Sequence, residues 1–312
     1  MSPAADQNLP QRGLSTRAVA SESGVRSALS PPAASLPGSL RAKEAALRAR
    51  FLEAGRVMVA FSGGVDSSYL AWAADRALGS DALAVTALSP SYPESHRRVA
   101  EDLVERFELA HRFVDTHEME RDEYRANASD RCYHCKSELF DTMDRLCGQL
   151  GFDRVSYGVN TDDTADFRPG HRAANEHGVM APFLEVGLSK AEIRDLSRAA
   201  GLPTADLPAS ACLSSRLPYG TEVTTERLRQ VERGEQALRD LGFKQLRLRH
   251  HGELARVEID PAELPRALES EMARRIVEAI KPLGFRYVSL DLEGYRTGSL
   301  NEVLQIQAEP IR

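Results

Sequence analysis

No stretch of the chain approaches the run of about 18 apolar residues that a membrane-spanning helix needs, and its start has neither a compact apolar segment nor a secretory cleavage site. A cytoplasmic protein without membrane contacts is expected. Positive charge is not in excess: 40 Lys and Arg stand against 46 Asp and Glu, for a net charge of −6 and a pI near 5.8. That balance removes the whole-protein attraction on which nucleic-acid binding usually relies, so no nucleic-acid partner is expected. Cysteine is scarce as well. Four cysteines (Cys132, Cys135, Cys147 and Cys212) in 312 residues are too few for a disulfide scaffold and fit metal or redox chemistry better. There is no internal repeat. What is present is a 42% apolar fraction, enough for a sizeable core and for two folded units.

Residues 1–38 are rich in Ala, Ser, Pro and Gly, with Pro31-Pro32 and Pro37-Gly38 breaking any period, and read as a disordered extension. Helical spacing begins near Leu40 and continues through Ala45, Leu47 and Phe51. Residues 56–61 then form a short apolar strand. Further strands are predicted at 82–88 and 154–158, with helices at 67–77, 94–107, 132–150 and 189–200. Strands alternating with helices imply an α/β domain with a doubly wound parallel sheet, spanning 39–220. After Pro218-Tyr219-Gly220 the pattern changes. A helix at 225–241, strands at 245–249 and 255–259, a helix at 263–282 and strands at 287–290 and 302–307 predict a smaller α+β domain over 221–312.

The strongest chemical signal is Ser62-Gly63-Gly64-Val65-Asp66-Ser67-Ser68, directly after a buried strand and directly before a helix. Two glycines let the backbone bend tightly against a ligand, while Ser67 and Ser68 offer hydroxyls and free N–H groups to phosphate oxygens. Asp66 beside phosphates requires a cation between the two anions, which implies Mg²⁺ together with ATP. The competing reading is an ordinary glycine turn with a capped helix. Lys190, in the first turn of the helix after Gly187-Leu188-Ser189, is a further candidate for the phosphates; its bland reading is a solvated surface lysine.

Asp130-Arg131-Cys132-Tyr133-His134-Cys135-Lys136 opens a helix, with Asp130 as candidate cap. The helix start and a neighbouring Arg131 or Lys136 would favour thiolates. Cys212 lies in a loop joining the two domains, a common location for active-site groups. Cys147 falls on one apolar stripe with Phe140, Met143 and Leu150 and reads as core. The other three cysteines suit a 4Fe-4S cluster with one open iron, or zinc with His134 or His171 as fourth ligand, or a metal-free pair.

The loop resembles the PP-loop of the ATP pyrophosphatase superfamily, which implies that Ser62, Gly63, Gly64, Asp66 and Ser67 hold pyrophosphate and magnesium and that adenine lies near Ala60 and Leu88-Ser89. Over roughly residues 42–309 the chain also resembles the ATP-dependent sacrificial sulfur transferase (LarE) family. The likeness is carried by the PP-loop and the Asp130–Lys136 segment, by Cys212-Leu213-Ser214-Ser215-Arg216, by Arg247-Leu248-Arg249-His250 and Val257-Glu258, and by Leu292-Glu293-Gly294-Tyr295-Arg296-Thr297-Gly298-Ser299. It implies adenylylation of pyridinium-3,5-biscarboxylate mononucleotide and conversion of its carboxylates to thiocarboxylates on the way to a nickel-pincer cofactor. Cys212 matches the sulfur-donating cysteine of single-cysteine members. Cys132 and Cys135 match the branch in which three cysteines hold an iron–sulfur cluster, in which case Cys212 is not sacrificed. The resemblance also implies that Arg247, Arg249 and Arg296 contact the substrate phosphate, that Glu235 and Glu258 meet a metal at a subunit interface, and that the protein is a homo-oligomer. A PP-loop tRNA thiolase is the rival reading.

Overall fold

A computed structural model describes residues 36–165, 169–208 and 211–296. Its elements in chain order are α1 (Gly38–Ala54), β1 (Val57–Ala60), α2 (Val65–Leu78), β2 (Ala82–Leu88), α3 (Glu94–Phe107), β3 (His111–Asp115), α4 (Asp122–Arg125), α5 (Arg131–Leu150), β4 (Arg154–Ser156), α6 (Pro169–Glu176), α7 (Pro182–Glu185) and α8 (Lys190–Ala199). They continue with α9 (Thr225–Asp240), β5 (Leu246–His251), β6 (Leu254–Ile259), α10 (Leu264–Leu268), α11 (Ser270–Ile280) and β7 (Tyr287–Leu290).

The first sheet has the order β3-β2-β1-β4 with every pair parallel, so the predicted parallel α/β fold is present. β1 is central, and Val57, Met58 and Val59 are buried as a continuous apolar run, which a strand covered on both faces requires. One face packs on Leu47, Phe51, Tyr69, Leu70, Phe183 and Ile193. The other packs on Phe140, Met143, Val155 and Tyr157. Because the strands are parallel, their carboxyl ends share one edge. The loops after β1, β2 and β4 open there, where an open α/β sheet binds its ligands.

β3 was not predicted, because His111, Arg112 and Asp115 on an edge strand conceal the apolar alternation. Ala45 is exposed, although Leu40, Leu47 and Phe51 face the core. The single helix expected over 263–282 is broken at Glu269, whose ψ of 132° interrupts it between α10 and α11. Asp130 stands at the start of α5 but makes no capping bond; its carboxylate lies 3.4 Å from His134 instead. The strand expected at 302–307 and almost all of the N-terminal extension lie outside the described residues.

The second sheet has the order β5-β6-β7, an antiparallel hairpin followed by a parallel pair. Its core, built on Leu228, Val231, Phe243, Leu248, Val257 and Ile280, also takes in Tyr124, Leu213 and Leu217 from before position 220. The segment that carries Cys212 is thus packed into the second core.

Candidate active site

The loop between β1 and α2 is held open from within. Ser62 N–H donates to the Ser67 hydroxyl at 3.1 Å, and the Ser67 hydroxyl donates to the Gly64 carbonyl at 3.2 Å. Gly63 has a φ of +75°, and a Cβ there would meet the His96 carbonyl at 3.1 Å, so glycine is required both by conformation and by the approach of α3. The Ser68 hydroxyl is buried and has no hydrogen-bond partner among the described residues. Such an atom at a helix start fits a phosphate oxygen.

Lys190 does reach this loop. Its ammonium pairs with the Asp66 carboxylate, whose other oxygen accepts from Asn160 at 3.5 Å. α8 is aimed by a capping box between Ser189 and Glu192, and the Lys190 N–H donates to Asp162 at 2.9 Å. Asn160 and Gly158 were not identified from the sequence. A Cβ on Gly158 would lie 3.1 Å from Ser67 N, which shows how closely the chain after β4 approaches the loop. The sequence signal for it is a glycine as the last residue of the strand predicted over 154–158, which in the structure ends at Ser156. Ala60 and Leu88 end neighbouring parallel strands as expected. A cleft of about 450 Å³ opens beside Leu88, Ser89, Tyr92, Arg97 and Thr116, on the side toward β3 rather than toward Ala60.

Cys132 and Cys135 occupy the first turn of α5, and Cys212 precedes a short 3₁₀ turn at Leu213–Arg216. Between them lies Arg131, which is buried. Its guanidinium donates to Asn127 Oδ1 at 2.5 Å and to the Ser214 carbonyl at 2.9 Å, and it stands 3.9 Å from Cys132 Sγ. Cys212 and Cys132 are its leading electrostatic partners. Cys135 also interacts with both other thiols; burial pushes it upward, and the carboxylate of buried Glu118 pushes it further. The fold thus draws Cys212 into the neighbourhood of Cys132 and Cys135, which precede it in sequence by 80 and 77 positions. Among the described residues, however, no group of three His, Cys, Asp or Glu side chains is arranged to hold a metal. The iron–sulfur and zinc expectations therefore find no preformed ligand set. His134, the candidate fourth ligand, is turned toward Asp130 at 3.4 Å. Cys147 packs with the far core, where burial and then Asp144 push its thiol up to about 11; Leu150 of the same stripe is 38% exposed.

The thiol neighbourhood and the phosphate loop are physically joined. Leu213 N–H donates to the Ser91 carbonyl at 2.9 Å, and one residue on, the Tyr92 hydroxyl donates to the Ser62 carbonyl at 3.1 Å.

The charged residues of the second sheet are largely internal. Arg249 makes a two-pronged pair with Glu258, both bonds 2.9 Å, and donates to the Ser215 carbonyl. Arg216 forks onto Glu235 at 2.8 and 3.2 Å, and also donates to the Cys212 carbonyl at 3.0 Å. Glu235 and Glu258 are only 2% and 1% exposed, and their carboxylates are buried counter-ions to arginine. Arg247 differs. Burial and the nearby Arg216 lower its affinity for a proton, and its guanidinium lies 5.0 Å over the Tyr295 ring. Arg296, next in sequence, pairs with Glu293 at 2.7 Å at the same corner. Of the expected phosphate contacts, Arg247 and Arg296 come together, while Arg249 is neutralised by Glu258.

A parallel sheet whose β1 runs into a strand–SGGVDS–helix loop defines an ATP-using α/β enzyme of the PP-loop class. Residues 41–146 match a family model described as asparagine synthase. The chain is 33% identical over 267 residues, 85% of this chain and 96% of the other, to the pyridinium-3,5-bisthiocarboxylic acid mononucleotide synthase of Lactiplantibacillus plantarum. It is also 44% identical over 265 residues, 85% of this chain and 99% of the other, to an uncharacterized protein of Synechocystis sp.. An uncharacterized protein of Methanocaldococcus jannaschii is 26% identical over 242 residues, 78% of this chain and 91% of the other. The chain belongs to the LarE family of PP-loop enzymes. Among the described residues no helix is long and apolar enough to cross a membrane.

Proposed function

We propose that this enzyme adenylylates the carboxylates of pyridinium-3,5-biscarboxylate mononucleotide with ATP and converts them to thiocarboxylates, with Cys212 at the site of sulfur transfer. The observation that carries the reading is the short bridge from Ser91 and Tyr92, which ties the Cys212 segment and the phosphate loop into one frame. A carboxylate resists attack by sulfur because its oxygen leaves poorly, and transfer to AMP converts that oxygen into a leaving group.

In this reading Ser62, Gly63, Gly64, Ser67 and Ser68 receive the pyrophosphate through N–H and hydroxyl groups, and Lys190 moves from Asp66 to a phosphate oxygen. Asp66, with its carboxylate at the helix start, would hold Mg²⁺, which supplies charge stabilisation for the departing pyrophosphate. Arg247 takes the substrate phosphate, with its guanidinium over the Tyr295 ring and Arg216 and Arg249 nearby to add positive charge to that corner. Arg249 and Arg296 support that corner, and Glu235 and Glu258 fix the arginines around it. The reading is tested by incubating the enzyme with magnesium, ATP and the biscarboxylate mononucleotide, then measuring AMP, pyrophosphate and sulfur in the product. Substrate-independent ATP hydrolysis with no sulfur in the product would sink it.

The convergence of Cys132, Cys135 and Cys212 favours a second reading, in which those residues hold a 4Fe-4S cluster and the sulfur comes from outside the protein. Anaerobic iron and sulfide analysis separates the two, as does dehydroalanine at position 212, a loss of about 34 Da from the protein, which marks the first.

A further inference from the structure

Arg131 is only 4% exposed, yet among the described residues no carboxylate lies within ion-pair distance of it. Its partners are an amide oxygen, the Cys132 sulfur and the carbonyl of Ser214, two residues after Cys212. The other guanidiniums buried as deeply, Arg216 and Arg249, each have a glutamate. A buried cation without a paired anion is costly, and an anion arriving at the sulfur site would relieve that cost. The surroundings hold it firmly. Asn127, fully buried at a φ of +53°, accepts from Arg131, while its amide donates to the Pro218 and Thr221 carbonyls at 2.8 and 2.9 Å. The Tyr124 hydroxyl meets the Ser214 hydroxyl at 2.7 Å, next to the carbonyl that Arg131 grips. Lys136, the other cation of this turn, is directed instead over the Phe140 ring.

We propose that Arg131 is the positioning residue of the sulfur-transfer half-reaction, holding the Cys212 segment against α5 and supplying the counter-charge for anionic sulfur at that site. The inference rests on the sulfur-transfer reading above. In that step the Cys212 sulfur electron pair forms the carbon–sulfur bond and the bond from carbon to the AMP oxygen breaks, AMP leaving with that pair; loss of the Cys212 Cα proton to water then breaks the Cβ–S bond, whose electron pair stays on the thiocarboxylate sulfur and leaves dehydroalanine at 212, and the charge on Arg131 is unchanged throughout. Adenylylation, which takes place at the phosphate loop, does not need it.

The test is the ratio of sulfur in the product to AMP released, measured on the full-length enzyme with magnesium, ATP and the biscarboxylate mononucleotide. Arg131→Gln is expected to keep substrate-dependent AMP release within about threefold of wild type and to lower the ratio by about tenfold or more, with Arg131→Lys recovering most of it. Should the glutamine variant fail to fold, Asn127→Asp, which sets a carboxylate against the guanidinium, is read in its place and should lower the ratio likewise. An unchanged ratio, or AMP release that falls as far as sulfur transfer does, overturns the role of Arg131. Absence of AMP release from the wild-type enzyme would instead overturn the functional reading beneath it.

Discussion

The phosphate loop and the arginine cluster of the second sheet manage charge in opposite ways. The loop offers backbone N–H groups and hydroxyls, with one lysine and one aspartate that are both partly exposed, so its polar groups can be reassigned when a ligand arrives. The cluster buries whole ion pairs: Arg216 with Glu235, and Arg249 with Glu258, at side-chain exposures of 6% or less. A buried pair is strongly destabilised when one member is lost, whereas a solvated pair is not. Ligand chemistry is thus expected from the loop, and rigid placement of Cys212 and Arg247 from the cluster.

Asp66→Asn is expected to show the contrast most strongly. It should lower AMP and pyrophosphate formation by about a thousandfold through loss of magnesium, while the thermal midpoint stays close to wild type. AMP formation at the normal rate would remove Asp66 from the reaction. Glu235→Ala should do the reverse. It strands Arg216, so denaturant unfolding should reveal a loss of about 3–5 kcal/mol with ATP affinity preserved in the folded fraction. A loss below about 1 kcal/mol would mean the pair is not structural.

Arg247→Ala lies between the two. Loss of a charge-assisted contact of about 1.5–3 kcal/mol should raise the KM for the mononucleotide by about 10- to 100-fold without changing that for ATP. Equal weakening of both would locate Arg247 at the nucleotide instead. The smallest effect concerns His96, where burial and then the charge of Arg216 lower the ring from 6.5 to about 4. The unfolded chain therefore binds this proton before the folded one does. The contribution to stability is complete above 6.5 and is lost as pH falls toward 4. His96→Asn should flatten denaturation midpoints across that window, leaving the slope from His111, whose ring burial also lowers to about 4.

Much of the first region was legible in the sequence because its signals are contiguous. Ser62 to Ser68 lie in one stretch, and the apolar run before them and the helical spacing after them define the strand and helix that present them. α3 and β7 appear at the predicted bounds for the same reason: their periodicity is complete within a few turns or a few residues. Lys190 was legible as a helix-start residue, although its Asp66 partner lies 124 positions away and no local pattern predicts that meeting.

The second region was legible only as a set of residue types. Arg247 and Arg249 alternate along β5 and were expected to act alike, yet Arg249 is neutralised by Glu258 across the hairpin while Arg247 turns to Tyr295. Which partner each of two like charges meets depends on strand register and on where a distant loop returns. Arg131 shows the same limit: adjacency to Cys132 is visible in the sequence, but its burial, its lack of a carboxylate partner among the described residues and its grip on the Cys212 segment arise from packing of residues about 80 positions apart. The sequence by itself determined the parallel α/β fold and the phosphate loop, since backbone conformation and hydrophobic period are local properties. Only the tertiary structure decided which thiol is buried beside Glu118, which arginine meets Glu258 and how Cys212 is joined to the loop, because desolvation and Coulomb energies depend on distances that the chain sets only once it has folded.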